Sequence, residues 1–306
     1  MDKLIIIAGA TACGKTDTAI ETALRTNGEV ISADSMQVYR HMNIGTAKPT
    51  IEEMRGIKHW LIDEIDPDEE FSVSVFCEKA HSYIADIHAR GKTPIICGGT
   101  GFYINALLYG NNFGETNPEL RTALIEFAER NGAGALHTRL KDVDPKAAET
   151  THANNIRRVA RALDFFLTTG SRFSEHNEME KQREPFYKAD IFILNMDRQA
   201  LYNRIEQRVD FMMEKGLVAE VARLLEMGYS ETLPSMQGLG YKEIVKHLNG
   251  EISLDEAVEM LKTGTRRFAK RQGTWFRHQL SGALLNTAEY NGAEELAGYL
   301  IKTLQC

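Results

Sequence analysis

The sequence predicts an α/β fold: a P-loop parallel sheet flanked by helices, with an inserted all-helical domain. Three observations predict it. Unbroken apolar runs recur at residues 4–8, 30–33, 93–97 and 191–194, as strands buried on both faces require. Stretches of helical period separate them, so helical crossovers join the strands and the sheet runs parallel. A glycine-rich phosphate-loop pattern sits between the first strand and the first helix.

In chain order, Leu4-Ile5-Ile6-Ile7-Ala8 is a strand closed by Gly9, and residues 16–25 form a helix. Val30-Ile31-Ser32-Ala33 is a second strand. Residues 71–89 are helical, with apolar side chains at Val75, Phe76, Ala80, Tyr83, Ile84 and Ile87. Thr93-Pro94-Ile95-Ile96-Cys97 is a third strand, closed by Gly98-Gly99. Strand signals then stop, and helices are expected at 118–130, 134–143, 145–150 and 155–169. Ile191-Phe192-Ile193-Leu194 is a strand that rejoins the sheet. The remainder is helical, punctuated by glycine and proline. The expected division is a core of residues 1–112 and 188–306 and a helical insertion of 113–187.

The chain has 306 residues, 43% hydrophobic and 26% charged. Such a composition excludes a disordered chain, a collagen-like fibre and a disulfide-built mini-protein. The length corresponds to about two domains. A net charge of −7 leaves any nucleic-acid contact to local basic patches. Cys13, Cys77, Cys97 and Cys306 show no metal-ligand spacing and no disulfide framework, which fits a reducing compartment. The first apolar run is too short for a secretion signal, and no membrane-spanning run exists. The expectation is a soluble, cytoplasmic monomer with no membrane partner.

Gly9-Ala10-Thr11-Ala12-Cys13-Gly14-Lys15-Thr16 matches G-x-x-x-x-G-K-[ST] in full and in the required strand–loop–helix context. Backbone N–H groups and the helix N-terminus cradle a di- or triphosphate there. Lys15 adds a point charge, and the Thr16 hydroxyl can reach Mg²⁺. A nucleoside triphosphatase would also show a strand ending in Asp for the metal. The third strand ends Gly98-Gly99-Thr100 instead. Asp34 does follow a strand, in Ile31-Ser32-Ala33-Asp34-Ser35, at the ligand edge of such a sheet. It can hold metal, act as a base, or simply cap a turn. Thr100 can present its hydroxyl to a ligand or cap a helix. Arg157, Arg158 and Arg161 lie on one helix, and Arg266, Arg267, Lys270, Arg271 and Arg277 recur at helical spacing. Either group is a solvated face or a set of phosphate contacts.

Several segments together resemble the tRNA dimethylallyltransferases (tRNA isopentenyltransferases). They are the phosphate loop; Ser32-Ala33-Asp34-Ser35-Met36-Gln37-Val38-Tyr39; Asn43-Ile44-Gly45-Thr46-Ala47-Lys48-Pro49; Gly98-Gly99-Thr100-Gly101-Phe102-Tyr103; Arg157-Arg158-Val159-Ala160-Arg161-Ala162-Leu163; Arg204-Ile205-Glu206-Gln207-Arg208; and Gly240-Tyr241 with Lys270-Arg271-Gln272. They occur in the family's order across nearly the whole chain. Ala10 stands where the family usually has Pro, and Cys13 where it commonly has Ser. Both lie in the loop, where backbone donors bind the ligand.

The resemblance implies transfer of a dimethylallyl group from dimethylallyl diphosphate to N6 of the adenosine 3′-adjacent to the anticodon, in tRNAs reading codons that begin with U. The partner is then the anticodon stem-loop of tRNA, and the cofactor is Mg²⁺, reached by Thr16. The resemblance makes Asp34 the general base and adds Thr100 and Arg208 to the catalytic set. It places Asp34, Ser35, Met36, Gln37, Thr100, Arg121, Arg157, Arg158, Val159, Ala160 and Arg161 against tRNA. With no zinc-ligand spacing after residue 280, the chain looks like the family's short form. The alternatives are an isopentenyltransferase acting on free adenine nucleotides, a P-loop nucleotide kinase, and a non-catalytic RNA-binding module. The Gly45–Pro49 segment and the basic insertion favour a polynucleotide.

Overall fold

The computed structural model describes residues 3–110, 117–181 and 183–304. The strands are β1 (Leu4–Gly9), β2 (Gly28–Ser32), β3 (His59–Trp60), β4 (Thr93–Gly98), β5 (Ala189–Asn195) and β6 (Ala283–Asn286). The helices are α1 (Lys15–Thr26), α2 (Ile51–Met54), α3 (Val73–Ala89), α4 (Gly101–Tyr109), α5 (Pro118–Asn131), α6 (Ala133–Val143), α7 (Pro145–Thr150), α8 (Ile156–Thr169), α9 (Phe173–Lys181), α10 (Arg198–Glu214), α11 (Leu217–Glu226), α12 (Tyr241–Leu248), α13 (Leu254–Gln279) and α14 (Ala293–Leu304). The strands form one sheet ordered β3-β2-β4-β1-β5-β6, with every pairing parallel.

The sheet and its flanking helices are the α/β architecture that the apolar runs predict. β1 lies between β4 and β5, with Ile5 beside Ile95 and Ile6 beside Ile191. All six of its residues are buried, because helices cover both faces. Burying a side chain such as Ile5 or Ile95 contributes about 1.5–3 kcal/mol. The chain leaves β1, crosses beyond β4 to β2, and later returns to β5 on the other side. The carboxyl end of β1 is therefore a topological switch point, where ligands of open α/β sheets bind.

Two strands escape the sequence patterns. β3 has two residues and β6 has four, and both lie at the sheet's edges. Edge strands this short bury too little to carry a long apolar run. Thr93–Gly98 is consequently the fourth strand in the chain.

The chain divides into two compact units, residues 1–108 with 187–306, and residues 109–186. The boundary expected at 112/113 lies outside the described residues, as does Cys306. The second unit is all-helical among the described residues, with a core that includes Leu124, Leu136, Leu140, Val159 and Leu163. In the first unit, a second apolar cluster packs Val38, Tyr39 and Met42 against Val209, Leu217, Tyr241 and Leu261. It anchors the segment that follows β2. Among the described residues, no helix is long and apolar enough to cross a membrane.

Candidate active site

The loop between β1 and α1 adopts the conformation that its glycines allow. Gly14 has φ +88° and is the N-cap of α1. That left-handed backbone suits glycine, and glycine supplies no side-chain acceptor to the helix. The first-turn amides of α1 thus remain for a ligand, on the positive end of the helix dipole. Lys15 Nζ donates to the Ala10 carbonyl at 2.6 Å and lies 4.0 Å from Cys13 Sγ, so its charge sits over the loop. Ala10 and Cys13 are buried. Their departures from the family's Pro and Ser fall on packing atoms. Ala12 also takes a positive φ of 64°.

Two segments face this loop from neighbouring strand ends. After β2, the Asp34 Oδ1 accepts from the Met36 N–H at 2.9 Å and the Gln37 N–H at 3.4 Å. After β4, the Thr100 N–H donates to the Ala33 carbonyl at 3.1 Å, and Thr100 Oγ1 accepts from the Ser35 N–H at 3.3 Å. Asp34 is thus a turn-forming residue, one of the roles its local sequence allows. Thr100 starts α4 with its carbonyl, which accepts from the Tyr103 and Ile104 N–H groups. Its hydroxyl is turned to the Asp34 turn instead of capping the helix. Gln37 Nε2 donates to the Thr46 and Ala47 carbonyls, and Gln37 Oε1 accepts from Ser32 Oγ. Met36 packs against the backbone at Gly238.

Arg208 on α10 donates to Thr11 Oγ1 at 3.3 Å, which brings a guanidinium onto the loop. Burial pushes its pKa down, opposed chiefly by the Asp34 carboxylate. Arg208, Asp34 and the loop therefore share one electrostatic site. Cys97 at the end of β4 is pushed up to about 12 by burial, which keeps it a neutral packing group. Gln272 of α13, which sequence patterning leaves without a role, joins the loop to the strand end. Its side chain accepts from the Thr11 N–H at 2.9 Å and donates to the Gly99 carbonyl at 2.8 Å.

The Asn43–Pro49 stretch is held by side chains that local motifs do not reveal. Glu220 accepts from the Asn43, Ile44 and Gly45 N–H groups at 2.8–3.0 Å and from the Tyr241 hydroxyl at 2.8 Å. Lys48, the cation of this stretch, is buried. It donates to the Tyr39 carbonyl, Asn43 Oδ1 and Asp63. Its charge serves the fold and is not offered to a polynucleotide.

In the helical unit, Asn155 caps α8 and Arg157 and Arg158 are exposed. Neither guanidinium has a partner among the described residues. Arg161 is half-buried beside the Phe173 ring. Arg121 donates to the fully buried Asp164 through Nε at 3.1 Å and Nη2 at 2.7 Å. Val159 and Ala160, which the resemblance also places in the tRNA-facing segment, turn their side chains inward. Both are 0% exposed, because the apolar stripe of α8 faces the unit's core. On α13, Arg266 is paired with Glu206, while Arg267, Lys270, Arg271 and Arg277 are exposed.

The donor set for a metal is sparse. Among the described residues, no group of three or more His, Cys, Asp or Glu side chains is arranged to hold one. Thr16 Oγ1 makes no hydrogen bond to described residues. Mg²⁺ needs no protein cage, since it binds through one or two protein oxygens, phosphate oxygens and waters. A hydroxyl at the first turn of α1 fits that demand.

A parallel sheet with a phosphate loop at its switch point, faced by a carboxylate, a threonine hydroxyl and an arginine, defines a P-loop α/β protein built for diphosphate or triphosphate chemistry. A family model described as IPP transferase matches residues 37–279. A relative from Acetivibrio thermocellus named tRNA dimethylallyltransferase is 52% identical over 97% of this chain and 95% of its own length. The crystal structure of tRNA delta(2)-isopentenylpyrophosphate transferase from Staphylococcus epidermidis is 41% identical, with a TM-score of 0.75 over 100% of this chain and 99% of that one. A eukaryotic dimethylallyltransferase acting on tRNA is 30% identical, with a TM-score of 0.79 over 94% of this chain and 74% of its own. The chain belongs to the IPP transferase family.

Proposed function

We propose that this chain transfers a dimethylallyl group from dimethylallyl diphosphate to N6 of the adenosine 3′-adjacent to the anticodon, in tRNAs reading codons that begin with U, and releases diphosphate. The coarser statement, that it is a transferase moving a dimethylallyl group to tRNA, follows from its 52% identity to a tRNA dimethylallyltransferase over nearly the full chain. The observation that supports the transfer chemistry is the convergence of the phosphate loop, Asp34 and Thr100 at adjoining strand ends, with Arg208 of α10 on the loop; the adenosine position and codon class are what the family resemblance implies. We place the activity in the cytoplasm, in a monomer.

The N6 lone pair forms a bond to C1 of the dimethylallyl group while the C1–O bond to diphosphate breaks. Negative charge grows on the diphosphate oxygens, where the α1 amides, Lys15 and Arg208 are preorganised to meet it. Such donors contribute roughly 3–4 kcal/mol each when they are key to the transition state. Thr16 is the residue that would hold Mg²⁺, which when bound would neutralise part of the diphosphate charge. The attacking amine must lose a proton, and the Asp34 carboxylate takes it. Thr100, tied to the Asp34 turn, orients the amine. The adenine must first leave its stack to enter the site.

The test is incubation of the purified chain with labelled dimethylallyl diphosphate and either unmodified tRNA or AMP. Label in tRNA, mapped to that adenosine, is the expected result. Label only in AMP would assign the chain to free-nucleotide chemistry, and steady Lys15-dependent phosphate release from ATP would assign it to the nucleoside triphosphatases.

In the helical unit we assign Arg157 and Arg158 to phosphate contacts. On Arg157→Ala with Arg158→Ala, tRNA binding weakens and the slope of log affinity against log salt flattens by about 1.4–1.8. Affinity for dimethylallyl diphosphate stays at the wild-type value. Filter binding across a salt series checks this, and an unchanged slope would return both arginines to a solvated face.

A further inference from the structure

We infer that Gln272 is a positioning residue that fixes the phosphate loop at its working distance from the acceptor end of the site. The inference rests on the function proposed above. Gln272 is only 8% exposed. Its Oε1 accepts from the Thr11 N–H at 2.9 Å, and its Nε2 donates to the Gly99 carbonyl at 2.8 Å. One partner lies inside the loop and the other immediately precedes Thr100. A single orientation of the amide satisfies both. A carboxylate has no donor for Gly99, an ammonium has no acceptor for Thr11, and a hydrocarbon has neither.

The approach of α13 to these segments is close. Ala269, Gln272 and Phe276 are buried at helical spacing on one face of the helix. A Cβ on Gly99 would lie 2.4 Å from Gln272 Nε2, and one on Gly101 would lie 2.2 Å from the Trp275 ring. The helix thus rests on bare backbone on both sides of Thr100. Among the described residues, Gln272 is the side chain that hydrogen-bonds both the loop and the end of β4.

The two strapped segments hold the two reactants. The loop holds the diphosphate, and Thr100, with the Asp34 turn bonded to it, meets the amine. Each half binds its own ligand without the strap. The reaction, however, requires C1 and N6 in near-attack geometry, and a displacement of about 1 Å can lower the rate on the order of 100-fold.

The test uses the full chain with Gln272→Leu and Gln272→Glu. For Gln272→Leu, the single-turnover rate of transfer to tRNA should fall about 10- to 100-fold. Affinities for inorganic diphosphate and for tRNA, measured separately, should stay within about threefold, because the loop's phosphate-facing amides are untouched. Gln272→Glu adds a reading that a packing role would not move. The protonated acid has the donor and acceptor pattern of the amide, whereas the carboxylate lacks the donor. The ratio of variant to wild-type rate should therefore climb as pH is lowered from about 8 to about 5.5, toward the range of a carboxyl raised by burial. The ratio for Gln272→Leu should stay flat. The other titratable and charged groups around the loop and strand end, Lys15, Cys13, Asp17, Asp34, Cys97, Arg204 and Arg208, are present in all three proteins and cancel in the ratio.

A rate within twofold of wild type, or a flat ratio for Gln272→Glu, overturns the inference. So does a rate loss in Gln272→Leu matched by an equal loss of diphosphate affinity. If Gln272→Leu fails to fold, the Gln272→Glu series decides alone. Absence of transfer by the wild type overturns the proposed function and this inference with it. Transfer by the wild type with unimpaired variants overturns the inference only.

Discussion

On Asp34→Asn, the single-turnover rate of dimethylallyl transfer should fall by about two to four orders of magnitude, the range for loss of a positioned general base. The substitution is well matched to the structure. Asp34 Oδ1 accepts from the Met36 and Gln37 N–H groups, and an asparagine oxygen can keep both bonds. The turn and its link to Thr100 through Ser35 therefore survive, and what is lost is the ability to take the N6 proton. Binding of dimethylallyl diphosphate should change little, since an anion at position 34 does not attract another anion. Asp34→Ala should be worse for tRNA binding, because it removes the acceptor that shapes residues 34–37. The competing role is metal binding. If Asp34 holds Mg²⁺, Asp34→Asn weakens diphosphate binding in a Mg²⁺-dependent way and excess Mg²⁺ restores the rate. Single-turnover rates and diphosphate affinities across a Mg²⁺ series separate the two, and rescue by Mg²⁺ would sink the base assignment.

Much of the sheet was legible because a strand covered on both faces must be apolar throughout. β1, β2, β4 and β5 all carry such runs, with ends displaced by one or two residues. β3 and β6 carry no comparable run, because an edge strand of two or four residues buries too little to demand one. Helices of the second unit begin at caps that explain why the helical pattern starts there: Asn117 and Pro118 open α5, Asp144 and Pro145 open α7, and Asn155 opens α8.

The site divides along a similar line. The phosphate loop is local in sequence, so its pattern alone marks it. Asp34 and Thr100 are single residues at strand ends, and they are joined through the residues flanking Asp34: the Thr100 N–H donates to the Ala33 carbonyl and Thr100 Oγ1 accepts from the Ser35 N–H. Gln272 and Glu220 reach 261 and about 176 residues along the chain to bond backbone groups, and no local spacing encodes such a partner. A signal for Gln272 does exist, as a polar residue on the buried stripe of α13 between Ala269 and Phe276. A buried amide must find partners, so that interruption marks a place where the helix meets backbone. Val159 and Ala160 show how the helix sorts neighbours in sequence onto different faces. They stand between arginines in the sequence, but a helix turns about 100° per residue, and that rotation carries both into the core.

Lys15→Ala should injure binding and turnover together, in contrast to Asp34→Asn. The Lys15 ammonium lies over the loop, bonded to the Ala10 carbonyl at 2.6 Å. A hydrogen bond to a charged group contributes about 1.5–3 kcal/mol. Affinity for dimethylallyl diphosphate should therefore drop on the order of 10- to 100-fold. The charge on the diphosphate grows as C1–O breaks, so the same cation interacts more strongly in the transition state than in the ground state. Losing one such donor lowers the rate of the bound complex by about 10²–10³. Arg208, held on the loop by its bond to Thr11 Oγ1, already contributes in the wild type and so does not replace the lost ammonium. The measurement is a single-turnover series over donor concentration at saturating tRNA, which separates affinity from the maximal rate. Loss of affinity alone, with the saturated rate unchanged, would mean that Lys15 binds ground state and transition state equally and contributes nothing to bond breaking.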